Sequence, residues 1–75
     1  MAHADTMVHK ANQIALFFAT FPHDEAVEGV ANHLRMFWAP RMRREIISYV
    51  ENGGAGLHEL ADEAVRRLVP VHDAH

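Results

Sequence analysis

The chain has 75 residues, enough for one small domain, and a single core of this size supplies only about 3–5 kcal/mol of net stability. It contains no cysteine, which excludes disulfides, thiolate-bound zinc and thiolate-bound iron–sulfur clusters from this chain. Its net charge of −3 argues against a dedicated nucleic-acid-binding domain, since such domains are normally basic.

The spacing of apolar residues predicts an all-α fold, a compact bundle of about four short helices in one domain over residues 5–68. The pair Phe21-Pro22 separates helix one from helix two. Ala39 precedes a proline and is biased out of the helical region, and Asn52-Gly53-Gly54 ends helix three. The predicted helices span about residues 5–20, 24–38, 40–51 and 57–68, with tails at 1–4 and 69–75.

Helix one is predicted to be apolar around most of its circumference. Ile14 and Phe18 lie on the stripe that faces the core, whereas Leu16 and Phe17 lie off that stripe. A helix of this kind needs cover on more than one side, and four short helices offer little of it. Leu16 and Phe17 are therefore candidate contacts for a partner.

The other helices each carry one apolar stripe, and helix two has the clearest one. Stripes of this kind are typical of helices that pack on a common core. The predicted core residues are Ile14, Phe18, Val27, Val30, Leu34, Trp38, Met42, Ile46, Val50, Leu60 and Leu68.

The stretch Phe37 to Arg44, between helices two and three, is the strongest candidate for a binding surface. Its arginines open helix three, where cations oppose the helix dipole by about 0.3–1 kcal/mol each if exposed. Local rules are most often broken at functional sites, and Arg with Trp and Met is favoured at protein interfaces. A solvated face with Glu45 as partial counter-charge is the alternative. The predicted partner-binding residues are Phe37, Arg41, Arg43, Arg44, Ile47, Leu16 and Phe17.

The remaining polar residues predict no catalytic, cofactor-binding or metal site. The seven histidines are dispersed over helices and tails, without HExxH or a comparable pair on one helical face. Asp24-Glu25 suits a helix N-terminus, Asp62-Glu63 suits a solvated face, and Ser48 has no nucleophile motif. Gly53-Gly54-Ala55-Gly56 lacks the phosphate-loop pattern. We therefore expect that the chain is not an enzyme by itself.

The first residues do not resemble a signal peptide, because they have no basic region before the apolar run. The longest apolar run, Ile14 to Ala19, is too short to span a bilayer. We therefore expect a cytoplasmic protein that makes no contact with a membrane.

Four motifs occur in a specific order and spacing between about residues 7 and 68. In this order they closely resemble the delta subunit of NAD-dependent formate dehydrogenase. The motifs are Ala11-Asn12-Gln13-Ile14-Ala15 with Phe17-Phe18, Gly29-Val30-Ala31-Asn32-His33-Leu34, Phe37-Trp38-Ala39-Pro40-Arg41-Met42-Arg43, and Gly53-Gly54-Ala55-Gly56-Leu57.

The resemblance implies a small non-catalytic accessory subunit of a cytoplasmic, molybdenum-containing complex that oxidises formate and reduces NAD. In that family the molybdenum cofactor and most iron–sulfur clusters belong to the large alpha subunit, and the FMN and NAD site to the beta subunit. The implied partners are the alpha subunit and, through it, the beta and gamma subunits. The implied role is assembly or stability of the holoenzyme, and molybdenum-cofactor insertion is one form that this role could take.

Two alternatives stay open at this point. The chain could be a transient assembly chaperone that is absent from the mature complex. It could also be a small helical nucleic-acid-binding or regulatory module, although the acidic net charge argues against nucleic acid as a partner. The second alternative would use Arg41, Arg43, Arg44, Arg66 and Arg67.

Overall fold

A computed structural model of the chain describes residues 2–69, with side chains from Thr6 onward. The described residues form four α-helices and no strand, which confirms the predicted all-α bundle. The predicted C-terminal tail, residues 69–75, lies outside the described residues apart from Val69. The helices are α1 (Ala2–Phe18), α2 (His23–Phe37), α3 (Pro40–Glu51) and α4 (Glu59–Leu68).

Helix α1 begins earlier than predicted. Its first residue is Ala2 rather than residue 5, so residues 2–4 of the predicted N-terminal tail are helical. Alanine has the highest helix propensity, and no glycine or proline interrupts this stretch. The other residue of the predicted tail, Met1, lies outside the described residues.

The connection between α1 and α2 is a tight turn that moves both predicted boundaries. Helix α1 ends at Phe18, and the amide of Phe21 donates to the carbonyl of Phe18 over 3.0 Å. Pro22, which disfavours helical geometry in the residue before it, takes the N-cap position of α2. Its carbonyl accepts the first helical hydrogen bond, from Ala26 at 2.8 Å. Helix α2 therefore starts at His23, one residue earlier than predicted.

Helix α3 has the predicted bounds, Pro40–Glu51, and its end is closed by glycines. The amide of Gly53 donates to the carbonyl of Val50 over 3.0 Å, and that of Gly54 to Tyr49 over 2.9 Å. This is the pattern of a Schellman motif, which needs a positive φ after the cap. Gly53 supplies it with φ 117°, as the sequence predicts.

Helix α4 starts at Glu59, two residues later than predicted, because His58 acts as its N-cap. Nδ1 of His58 accepts a hydrogen bond from the amide of Leu60 at 3.1 Å. The cap is anchored by Asn12 of α1, whose Oδ1 accepts from the amide of His58 at 2.7 Å. The same side chain donates through Nδ2 to the carbonyl of Gly56 at 2.9 Å. One asparagine therefore attaches the loop before α4 to α1.

The core forms around α4, which packs most extensively on α2 and also on α3 and α1. Small side chains at this centre, including Ala61 and Ala64, are fully buried and allow the helix backbones to approach closely. Four residues from the predicted core list pack against the core and are only partly buried: Ile14, Phe18, Met42 and Leu68. Seven others are buried: Val27, Val30, Leu34, Trp38, Ile46, Val50 and Leu60.

Helix α1 packs on α2 through the ring of Phe18, which lies directly on Gly29. A β-carbon at position 29 would lie only 2.6 Å from Cδ1 and 3.0 Å from Cζ of that ring. Real β-carbons essentially never approach that closely, so a hydrogen at this position allows the ring to sit against the backbone of α2. Gly29 therefore sets the separation between α1 and α2.

Candidate partner-binding surface

The arginines that open α3 have different environments. Nη1 of Arg43 donates to two carbonyl oxygens at the end of α2, that of Trp38 at 2.6 Å and that of Arg35 at 3.0 Å. These carbonyls lie at a helix C-terminus, where the dipole favours a cation. Arg43 therefore stabilises the end of α2, a structural role in addition to the partner contact that the sequence predicts for it.

Arg41 and Arg44 point away from the bundle. The side chain of Arg41 is 84% exposed and makes only a loose ion pair with Glu45, with 3.8 Å between Nε and Oε2. Arg44 is also exposed. Exposed pairs of this kind contribute little to stability. These two arginines remain available for contact with a partner.

The segment Phe37 to Arg44, where α2 ends and α3 begins, is here called the α2–α3 corner. Trp38 of this corner and Ile47 of α3 face the core. Trp38 is only 8% exposed and forms part of the core. Ile47, a predicted partner contact, is partly buried and packs against that core. Its side chain therefore supports the packing of α3 and is a weaker candidate for a partner contact than the exposed apolar residues.

The three other predicted apolar contacts are all on the surface. Leu16 is 62% exposed, and Phe17 and Phe37 are each 69% exposed. Two further large apolar residues that the sequence did not single out as contacts, Phe21 and Met36, are also exposed. Met36 precedes Phe37 in the last turn of α2, and Phe21 lies in the turn after α1. Exposed apolar side chains therefore concentrate on α1, α2 and the turn between them.

Between α1 and α2 lies an open recess of about 350 Å³, here called the α1–α2 groove. Phe17 and Phe18 meet edge to face in it, with ring centroids 5.0 Å apart. On the α2 side the ring of His33 contacts that of Phe37 at a centroid distance of 4.8 Å. The groove is lined by Gln13, Ile14, Phe17, Phe18 and His33.

The sequence assigned Ile14 and Phe18 to the core and left Gln13 and His33 without a role. The i, i+3, i+4 spacing of Gln13 and Ile14 with Phe17 places them on one face of α1. From that spacing, the sequence alone could have predicted a second apolar face of α1 that includes Ile14 and Phe17. It could not show that His33 and Phe37 of α2 extend this face, because their approach to α1 depends on helix packing.

The cations of α4 are engaged in ion pairs with carboxylates of α2 and α4. Arg66 pairs with Asp62 at 2.6 Å, and Arg67 pairs with Glu28 of α2 at 2.9 Å. His23 at the start of α2 lies 2.9 Å from Glu63 of α4. With Arg43 also engaged and Arg41 loosely paired with Glu45, four of the five arginines of the nucleic-acid alternative have partners within the chain. That alternative loses most of its cationic surface.

Within residues 6–69, whose side chains the structure describes, no three His, Asp or Glu side chains come together as metal ligands. No described helix is both long enough and apolar enough to cross a membrane. The arrangement is suited to binding another protein through apolar and cationic side chains.

Comparison with known proteins gives one match. Residues 6–65 match the family model of FdsD, described as the NADH-dependent formate dehydrogenase delta subunit. No curated protein and no solved structure gives a significant match to the chain. The matched segment contains the α2–α3 corner and every residue that lines the α1–α2 groove.

Proposed function

The chain belongs to the FdsD family of formate dehydrogenase delta subunits, and on this premise we propose that it is a non-catalytic subunit supporting assembly or stability of the enzyme complex. The proposed contacts run to the large molybdenum-bearing alpha subunit and, through it, to the beta and gamma subunits. Insertion of the molybdenum cofactor is one step at which such support could act.

The observation that carries this proposal is the amount of apolar surface that α1 and α2 leave uncovered. Phe17, Met36 and Phe37 are more than two-thirds exposed, although the chain is small. Large exposed apolar patches on a soluble domain mark interaction sites, because their burial in a complex releases ordered water. A subunit that is stable mainly inside its complex has this kind of surface.

We propose that all redox cofactors of the complex are held by its other subunits. The molybdenum cofactor and iron–sulfur clusters would belong to the alpha subunit, and FMN with the NAD site to the beta subunit. The chain has no cysteine to ligate a cluster. Its own part is then to position and protect protein surface on the catalytic subunits.

Affinity purification of the tagged full-length chain from its native cell tests the proposal. We expect recovery of a stoichiometric complex that contains molybdenum, iron and flavin and reduces NAD with formate. Recovery of the chain alone would overturn the proposal. Recovery only with cofactor-free enzyme would favour a transient chaperone instead.

The insertion step has its own measurement. In cells that lack this chain, we expect purified formate dehydrogenase to contain less molybdenum per alpha subunit than the enzyme from wild-type cells. If molybdenum content is unchanged while the complex dissociates more readily, the chain acts on stability of the holoenzyme rather than on insertion.

A further inference from the structure

The α1–α2 groove has the form of a receptor for side chains of another polypeptide. Its floor is formed by partly buried Ile14 and Phe18, and exposed Phe17 stands at its edge. A volume of about 350 Å³ far exceeds the ~30 Å³ that one water molecule occupies, so whole side chains fit. Apolar walls of this kind favour apolar side chains over water.

The geometry of the walls suits a helix better than an extended strand. Both walls are α-helices, and the described part of the groove offers side chains rather than the free backbone edge that a strand would pair with. An amphipathic helix in a groove presents anchors at i, i+3 or i+4, and i+7. Exposed Phe37, in contact with His33, extends the apolar surface along α2 by one further turn.

The charged residues near the groove predict which charge the bound helix carries beside its apolar anchors. The described part of α1, residues 6–18, contains Lys10 and no carboxylate, and α2 contains none from Gly29 to Phe37. Lys10 lies one turn before Gln13 on the same face of α1. Arg41 lies four residues after Phe37, in the first turn of α3, where its side chain is 84% exposed and only loosely paired with Glu45. The carboxylates whose side chains the structure describes lie instead at the start of α2, on α3 and on α4.

We propose that the α1–α2 groove binds an amphipathic helix of another subunit of the complex, with apolar anchors in the groove and acidic residues facing Lys10 and Arg41. This assignment rests on the proposed function and names the surface that performs it. A second copy of this chain fits less well. A symmetric dimer would place two grooves with cationic flanks against each other, and like charges oppose such contact.

Truncation of single side chains tests which apolar residues carry the contact. We expect Phe17→Ala and Phe37→Ala each to weaken binding of the purified full-length chain to the delta-free complex by about thirtyfold or more, as aromatic anchors do. Leu16→Ala distinguishes the groove from the wider exposed apolar surface to which Leu16 belongs, since Leu16 is nearly as exposed on the same helix but does not line the groove. Its loss should be about threefold or less. Equal losses at positions 16 and 17 would overturn the assignment to the groove.

The cationic flanks have a separate readout. Lys10→Glu and Arg41→Glu should each slow association, and the difference from wild type should shrink as salt is raised, because salt screens exposed charges. If neither variant changes the association rate at low salt, the assignment of acidic residues to the bound helix is wrong. Helical content of every variant is checked by circular dichroism before binding is measured.

A photo-crosslinking amino acid in place of Phe17 identifies the occupant in the assembled complex. We expect a cross-link to a peptide of another subunit in which apolar residues recur at helical spacing beside Asp or Glu. A cross-link to another copy of this chain, or the same yield of cross-link from position 16, would overturn the proposal. If the wild-type chain binds no formate dehydrogenase, the proposed function itself fails. If the wild-type chain binds and the position 17 variant binds equally well, the groove is not the binding site, but the proposed function stands.

Discussion

The guanidinium of Arg43 lies 2.6 Å from the carbonyl oxygen of Trp38, so an arginine from the first turns of α3 closes the C-terminus of α2. This contact explains why a cation occurs where the dipole of its own helix disfavours it. The two helix ends meet at one corner, and the attraction to the end of α2 offsets the repulsion within α3.

Replacing Arg43 by methionine should destabilise the chain by about 1–2 kcal/mol, because it removes two charge-assisted hydrogen bonds and keeps the apolar stem. Urea denaturation followed by circular dichroism measures this change. Arg44→Met is the control, since Arg44 is exposed in the same turn, and its effect should stay below about 0.5 kcal/mol. Equal destabilisation by the two variants would contradict a capping role for Arg43.

Asn12→Ala should loosen the loop before α4. The change removes the hydrogen bonds to the carbonyl of Gly56 and the amide of His58, at a cost of about 1–3 kcal/mol. Hydrogen exchange should accelerate most at residues 56–60. Asn32→Ala provides the comparison, because Asn32 is exposed and bonds only its neighbour Arg35. Exchange that accelerates uniformly over the chain would show that Asn12 is not a local anchor.

Gly29→Ala should force α1 away from α2, since the new methyl group would overlap the ring of Phe18. Overpacking of this kind typically costs about 1–3 kcal/mol, more than the gain in helix propensity from alanine. Thermal unfolding of a double-mutant cycle with Phe18→Leu checks the cause. The smaller side chain should restore part of the lost stability, and strict additivity of the two changes would exclude a direct clash.

Trp38→Ala should unfold the isolated chain. Trp38 is 8% exposed, and removing a buried aromatic costs about 3–5 kcal/mol, which is comparable to all the stability expected for a domain of this size. Loss of helical circular dichroism at 25 °C is the measurement. A chain that stays helical and melts cooperatively would mean that the core holds without this corner. Phe37→Ala, at the adjacent exposed position, should leave helicity intact.

The sequence predicted the helices well where a local signal ends them. Pro40 and Gly53 set the bounds of α3, because proline suits a helix start and glycine accepts a positive φ. The start of α4 was missed by two residues, since its cap depends on Asn12, 46 positions away from His58. A contact between residues so far apart in sequence produces no local pattern from which it could be predicted.

Apolar periodicity with glycine and proline placement therefore determined the all-α bundle, and the order of four motifs along the chain determined its family. Periodicity, glycine and proline act through backbone geometry within a few residues, so their effect can be read locally. Only the tertiary structure decided which residues of the corner are available to a partner. It turned Arg43 inward onto the end of α2 and left Arg41 in solvent. It also brought Phe17 of α1 and His33 of α2 to one groove, because packing between distant segments sets which faces stay uncovered.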